Sequence, residues 1–170
     1  MSETLEPALP AELDRMAEQA MRNLCDKELT VATAESCTGG LLASLLTDIV
    51  GCGHGFDGGF VTYANEAKEQ LLGLSRDLVE HNDAVSAPVA KGMAEGALER
   101  CQADIILSVT GFAGPPAEGQ EEGLVYLACA RRGAETKVEE RHFGPIGRGP
   151  VRIEALKVLV DMLNQAIDDS

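Results

Sequence analysis

Short β-type runs and helix-length runs alternate through this chain, and nothing else in it restricts the fold as strongly. Leu13, Met16, Ala17, Ala20, Met21 and Leu24 recur at helical spacing, which predicts an amphipathic helix from Ala11 to about Asp26. Leu29 to Ala34 reads as a first strand, "LLASLLTDIV" (41–50) as an apolar helix closing on Gly51, and "GFVTYA" (59–64) as a second strand. Asn65 is placed to cap a short helix carrying Lys68, Leu71 and Leu72. Ser86 and Pro88 open another helix, whose Ala90, Met93, Ala94, Ala97, Leu98 and Cys101 form one stripe, and Ala103 to Val109 follows as a buried apolar strand. A long Gly/Pro/Glu loop, "TGFAGPPAEGQEEG" (110–123), leads into "LVYLACA" and "TKVEERHF", a hairpin pair turning at Arg132-Gly133, before a last helix from about Val151 to Ile167. Alternation that ends in a hairpin predicts an α/β fold, a three-layer α/β/α arrangement with a mixed, mostly parallel sheet. The 170 residues have room for one core, so a single domain over 1–170 is expected.

Three loops, "ESCTGG" (35–40), "YANEAK" (63–68) and "TGFAGP" (110–115), each follow the carboxyl end of a predicted strand. Parallel strands joined by right-handed crossovers bring such loops to one edge of the sheet, where ligands of open α/β proteins bind. At the first of them a strand meets a helix at Ser36-Cys37-Thr38-Gly39-Gly40. The first N–H groups of a helix lack intrahelical partners, which suits a nucleophile or an anion. Ser36 can be a plain N-cap there, but a cap does not need two glycines behind it. Glycines allow close backbone approach, so the N–H groups from Cys37 to Gly40 are candidates for an oxyanion hole.

A nucleophilic serine needs a base. His54, His81 and His142 have no recognisable partners, and "AESCT" is not a G-x-S-x-G elbow. Lys68 is the alternative to a histidine: a helix lysine that is either solvated or, if buried, lowered from about 10.4 towards 7 at about 4–5 kcal/mol. Cys37 is a rival nucleophile or a small buried residue on the inward face of its helix. Gly53 to Gly58 matches G-x-G-x-x-G but follows a helix and precedes a strand, the reverse of the dinucleotide-binding order. Thr110, Gly111 and Gly114 can hold a phosphate through N–H groups or form an ordinary loop.

Composition excludes some partners. With 14 basic and 28 acidic residues the net charge is −14, which argues against a broad nucleic-acid footprint and against anionic membranes. No apolar run approaches a span and "MSETLEPALP" has no signal core, so a cytoplasmic protein is expected. The cysteines at 25, 37, 52, 101 and 129 have neither C-x-x-C spacing nor an even number, and read as reduced, mostly buried thiols with no metal site.

Taken together, "TVATAESCTGGLLASLLTDI", "FDGGFVTYANEAKEQLLG", "AVSAPVAKGMAEGAL" and "SVTGFAGP", in that order, resemble the C-terminal domain of the CinA (competence/damage-inducible) family, which includes stand-alone nicotinamide-nucleotide amidases. The likeness runs from about Leu13 to Ile167. It implies hydrolysis of the carboxamide of nicotinamide mononucleotide to nicotinic acid mononucleotide and ammonia. In it Ser36 matches the nucleophile and Lys68 the general base, with Tyr63 beside them as a third catalytic residue, while Cys37, Thr38, Gly39, Gly40, Asn65, Thr110, Gly111, Ala113, Gly114 and Arg148 fall at oxyanion or substrate-binding positions. A small-molecule nucleotide substrate, a homo-oligomer and no cofactor complete the expectation. The chain departs from the family pattern at Gly51-Cys52-Gly53, at Pro116-Ala117-Glu118-Gly119 and around Ile146-Gly147-Arg148, all near the expected nucleotide pocket.

Overall fold

The computed structural model describes residues 9–169, so most of the acidic N-terminal lead lies outside it. In chain order the elements are α1 (Ala11–Asp26), β1 (Val31–Glu35), α2 (Leu41–Thr47), a 3-10 turn (Gly53–Gly55), β2 (Phe56–Val61), α3 (Asn65–Leu72), α4 (Arg76–Asn82), α5 (Ala87–Arg100), β3 (Ile105–Gly111), β4 (Leu124–Arg131), β5 (Lys137–His142) and α6 (Arg148–Asp168).

The strands form one mixed sheet in the order β2-β1-β3-β4-β5. β1 pairs in parallel with β2 and β3, running from Val31 opposite Ile105 to Glu35 opposite Val109, whereas β4 is antiparallel to both β3 and β5. Only β4 runs against the other strands. Alternate side chains point to opposite faces of a strand, and the core divides accordingly. Val31, Ile105, Leu107, Val109, Val125 and Leu127 pack under α1, α2 and α6. Ala32, Ala34, Ile106, Ala128 and Ala130 pack under α3, α4 and α5. Truncating a fully buried side chain such as Leu107 to Ala costs about 2–5 kcal/mol.

After β1 the chain crosses to β2 by way of α2 on one face; after β2 it crosses back past β1 to β3 by way of α3, α4 and α5 on the other. The two excursions leave the sheet in opposite directions at the carboxyl ends of β1 and β2. That divergence opens the crevice in which doubly wound sheets place their ligands.

Two boundaries and one added helix differ from the expectation, each for a physical reason. β2 begins at Phe56 and not at Gly59, because the Gly58-Gly59 pair is strand and not turn. A Cβ on Gly59 would stand 2.8 Å from Thr33 Oγ1 on β1, so the residue is small to let the strands approach. α4 has no clear sequence stripe; it is held by the Ser75 hydroxyl accepting from Leu78 N and by buried Val79. Asn65 is the first residue of α3 and not its cap; Ala64 occupies the cap position. Among the described residues no helix is long and apolar enough to cross a membrane, and no group of His, Cys, Asp and Glu is arranged to hold a metal ion.

Candidate active site

β1 delivers Ser36 to the crevice. The Ser36 N–H donates to Val109 O at 3.0 Å and Thr62 N–H to Glu35 O at 2.8 Å, which extends both parallel ladders by one bond past the strand ends. Ser36 itself is 7% exposed. The chain then turns through Gly39 (φ +63°) and Gly40 (φ +93°), left-handed conformations that favour glycine, and enters α2.

Lys68 lies one turn into α3, directly after β2, and is 1% exposed. Its Nζ is 3.2 Å from Ser36 Oγ, 3.0 Å from Thr62 O and 3.2 Å from Tyr63 O. Among the described residues no carboxylate pairs with it. Burial disfavours the charged form and pulls the Lys68 pKa below that of an ordinary lysine, with the nearby Cys37 acting weakly the other way. Three contacts suit an ammonium with three donors. They equally suit a neutral amine that gives its two N–H bonds to the carbonyls and turns its lone pair on the hydroxyl.

Beside this pair lies a cleft of about 230 Å³, lined by Cys37, Tyr63, the Gly111–Ala117 segment, Gln120 and Arg148. Arg148 is the first residue of α6, and its guanidinium rests on Gly114: a Cβ there would stand 2.7 Å from Arg148 Nη2. Among the described residues nothing hydrogen-bonds to that guanidinium, and the Ala113 and Gly114 N–H groups are also without partners. A cation and two free amides therefore border one cleft in a strongly acidic protein.

The expected site residues divide between the cleft and the frame around it. The Thr110 hydroxyl donates to Ala84 O at 2.8 Å and is turned into the protein, so it is not a free donor for a ligand. Gly111 is the last residue of β3, paired opposite Val125, and lines the cleft as backbone. Asn65 is exposed and does not line the cleft. Tyr63 contributes its carbonyl to Lys68, while its side chain is at the cleft rim and the residue is 71% exposed. The Cys37 thiol is buried in the core, which pushes its pKa up to about 12 and leaves it protonated at neutral pH. None of the three histidines hydrogen-bonds to Ser36; His142 sits between Glu121 and Glu140, at 2.9 and 2.8 Å.

The oxyanion donors also differ from the expectation. Gly39 N–H donates to Ser36 O and Gly40 N–H to the Glu35 carboxylate, so neither is available to a ligand. Among the described residues no carbonyl or carboxylate accepts from the N–H groups of Cys37 and Thr38. Glu35 was not singled out from sequence. No local signal marks it, because Glu35-x-x-Thr38 reverses the capping-box order; only the fold turns its carboxylate onto Thr38 Oγ1 and the N–H groups of Gly40, Leu42 and Ala43. Arg152, one turn beyond Arg148, carries no sequence signal either; its Nε donates to Cys37 O at 2.8 Å.

The molecule is thus a three-layer α/β protein whose strand crevice holds a buried serine–lysine pair beside an arginine-bordered cleft. The chain belongs to the CinA C-terminal domain family, which it matches over residues 13–167. A CinA-like protein of Chlorobaculum tepidum is 45% identical over 145 residues, 85% of this chain and 32% of that protein. The crystal structure of the competence/damage inducible protein CihA from Agrobacterium tumefaciens superposes with a TM-score of 0.89 at 38% identity, covering 94% of this chain and 98% of that one. A CinA superfamily protein from Escherichia coli gives 0.84 at 33% identity, covering 91% and 90%. The chain spans about a third of the length of the curated relatives it matches, as for the 32% of the C. tepidum protein.

Proposed function

We propose that this chain is an amidohydrolase, a single catalytic domain that hydrolyses the carboxamide of nicotinamide mononucleotide to nicotinic acid mononucleotide and ammonia. The observation that carries it is the buried Lys68 Nζ, 3.2 Å from Ser36 Oγ and free of any carboxylate among the described residues. In the neutral amine the two N–H bonds go to Thr62 O and Tyr63 O, and the lone pair takes the Ser36 proton. Ser36 Oγ attacks the carboxamide carbon, and the Cys37 and Thr38 N–H groups receive the developing oxyanion. Lys68 then returns its proton to the amide nitrogen as the C–N bond breaks, releasing ammonia and leaving an ester on Ser36. Neutral Lys68 next takes a proton from water, whose oxygen attacks the ester; the acid product leaves and the serine regains its proton.

Binding energy away from the reacting bond orients it. Arg148 and the Ala113 and Gly114 N–H groups are assigned the substrate's phosphate, with the carboxamide at Ser36. No metal or cofactor enters the chemistry. A soluble nucleotide substrate assigns the reaction to the cytoplasm. The test is ammonia release from nicotinamide mononucleotide by purified protein, with Ser36→Ala as control. A protein that binds the mononucleotide without releasing ammonia is a silent binding domain, and the proposal falls.

A further inference from the structure

Glu35 is fully buried at the end of a strand otherwise made of Val, Ala and Thr, where an unpaired carboxylate would be costly. It pairs with no lysine or arginine among the described residues. Four other donors satisfy it: Thr38 Oγ1 at 2.6 Å, Gly40 N and Leu42 N at 3.1 Å each, and Ala43 N at 2.8 Å. All four belong to the segment that begins immediately after Ser36. The Glu35 backbone is meanwhile fixed to the sheet through its carbonyl, which accepts from Thr62 N at 2.8 Å. Arg152 holds the same turn from α6, donating to Cys37 O. The Ser36–Thr38 turn is therefore tied on both sides, and the two N–H groups left unused within it are those of Cys37 and Thr38.

We propose that Glu35 is the positioning residue of the nucleophile: its carboxylate occupies the amides at the start of α2 and so fixes the turn that presents Ser36 Oγ to Lys68 and keeps the Cys37 and Thr38 N–H groups as oxyanion donors. It touches no substrate. The proposal rests on the Ser36–Lys68 chemistry above. A mere helix cap would affect stability, whereas a positioning residue also alters the reactivity of Ser36 in protein that remains folded.

The test uses the full chain and two readouts besides thermal unfolding. One is the rate at which a fluorophosphonate labels Ser36, followed by intact mass; Oγ displaces fluoride from phosphorus and its proton passes to Lys68. The other is kcat and KM for nicotinamide mononucleotide. Glu35→Gln keeps the shape but turns an NH2 donor on the amides of α2. Labelling and kcat should fall together by about 10–100-fold, with KM changed less than about 2-fold. Folded Glu35→Gln protein that labels and turns over like wild type overturns the proposal. If Glu35→Gln does not fold, Thr38→Val, which removes the 2.6 Å bond, should label about 10-fold more slowly, and Thr38→Ser should recover the rate; equal rates in both and in wild type overturn it. Wild type that labels at Ser36 yet releases no ammonia defeats the amidase function alone, and the labelling rates still judge Glu35. Wild type that does not label at Ser36 defeats both.

Discussion

Lys68 and Ser36 are 32 positions apart in sequence and 3.2 Å apart in space, and both are buried. The contact exists because the chain leaves β1 and β2 towards opposite faces of the sheet, so that the residue just after β1 and the first turn of α3 close on one crevice. A lysine in such a place weakens the fold while it is charged and serves as a base once it is neutral.

Ser36→Ala should abolish amide hydrolysis, by several orders of magnitude, while Cys37→Ala retains most of it. The substitution at Cys37 keeps the backbone N–H, and the thiol, pushed up to about 12 by burial, is no nucleophile at neutral pH. Ammonia release by the two variants decides this; loss confined to Cys37→Ala would transfer the role to the thiol.

The lowered Lys68 pKa has two consequences of opposite experimental character. The rate should rise with pH through a midpoint below the ordinary lysine range, and Lys68→Arg should be as inactive as Lys68→Ala, because a guanidinium stays protonated. Stability follows by linkage. Between the folded and the unfolded pKa the unfolded chain binds more protons, so stability rises with pH across that window and the penalty is complete below the folded value. Thermal unfolding of wild type and Lys68→Met from pH 7 to 10 should show wild type gaining on the variant as pH rises. A constant difference would mean that Lys68 does not titrate there.

The order of elements was legible because the apolar periods are unbroken in α1, β3 and β4, where each strand or helix buries a continuous face. The ends of β2 were not, because Gly58 and Gly59 carry no side-chain period and serve close strand approach. Ser36 and Lys68 were legible as residue types at strand ends. Their neighbours' roles were not, since a hydroxyl such as that of Thr110 points to one or other face according to its exact place in the ladder, and a one-residue shift reverses it. Glu35 was concealed for the same reason: nothing local says that its carboxylate turns inward to α2 and not outward to solvent.

Thr110 provides a direct check on that reassignment. Its hydroxyl bonds to Ala84 O and not to the cleft, so Thr110→Val should lower stability by about 1–3 kcal/mol through the orphaned carbonyl and leave KM for the mononucleotide within about 2-fold. Denaturant unfolding and steady-state kinetics separate the two effects. A large rise in KM without a loss of stability would return Thr110 to the binding site.

Arg148 tests how an acidic protein holds an anion. The net charge of −14 repels a phosphate, so the attraction has to come from local donors. Arg148, exposed at the start of α6 and lying on Gly114, is the cation at the cleft, and the Ala113 and Gly114 N–H groups are its neighbours. Arg148→Ala should therefore reduce kcat/KM for nicotinamide mononucleotide by about 10–100-fold, the worth of a charge-assisted contact, and hardly affect nicotinamide riboside, which has no phosphate to lose. Gly114→Ala should move in the same direction by less, because the new methyl meets the flexible end of Arg148 at 2.7 Å and displaces it from the loop. Both substrates are measured with both variants. If Arg148→Ala slows riboside and mononucleotide by the same factor, the arginine supports the cleft but does not read the phosphate.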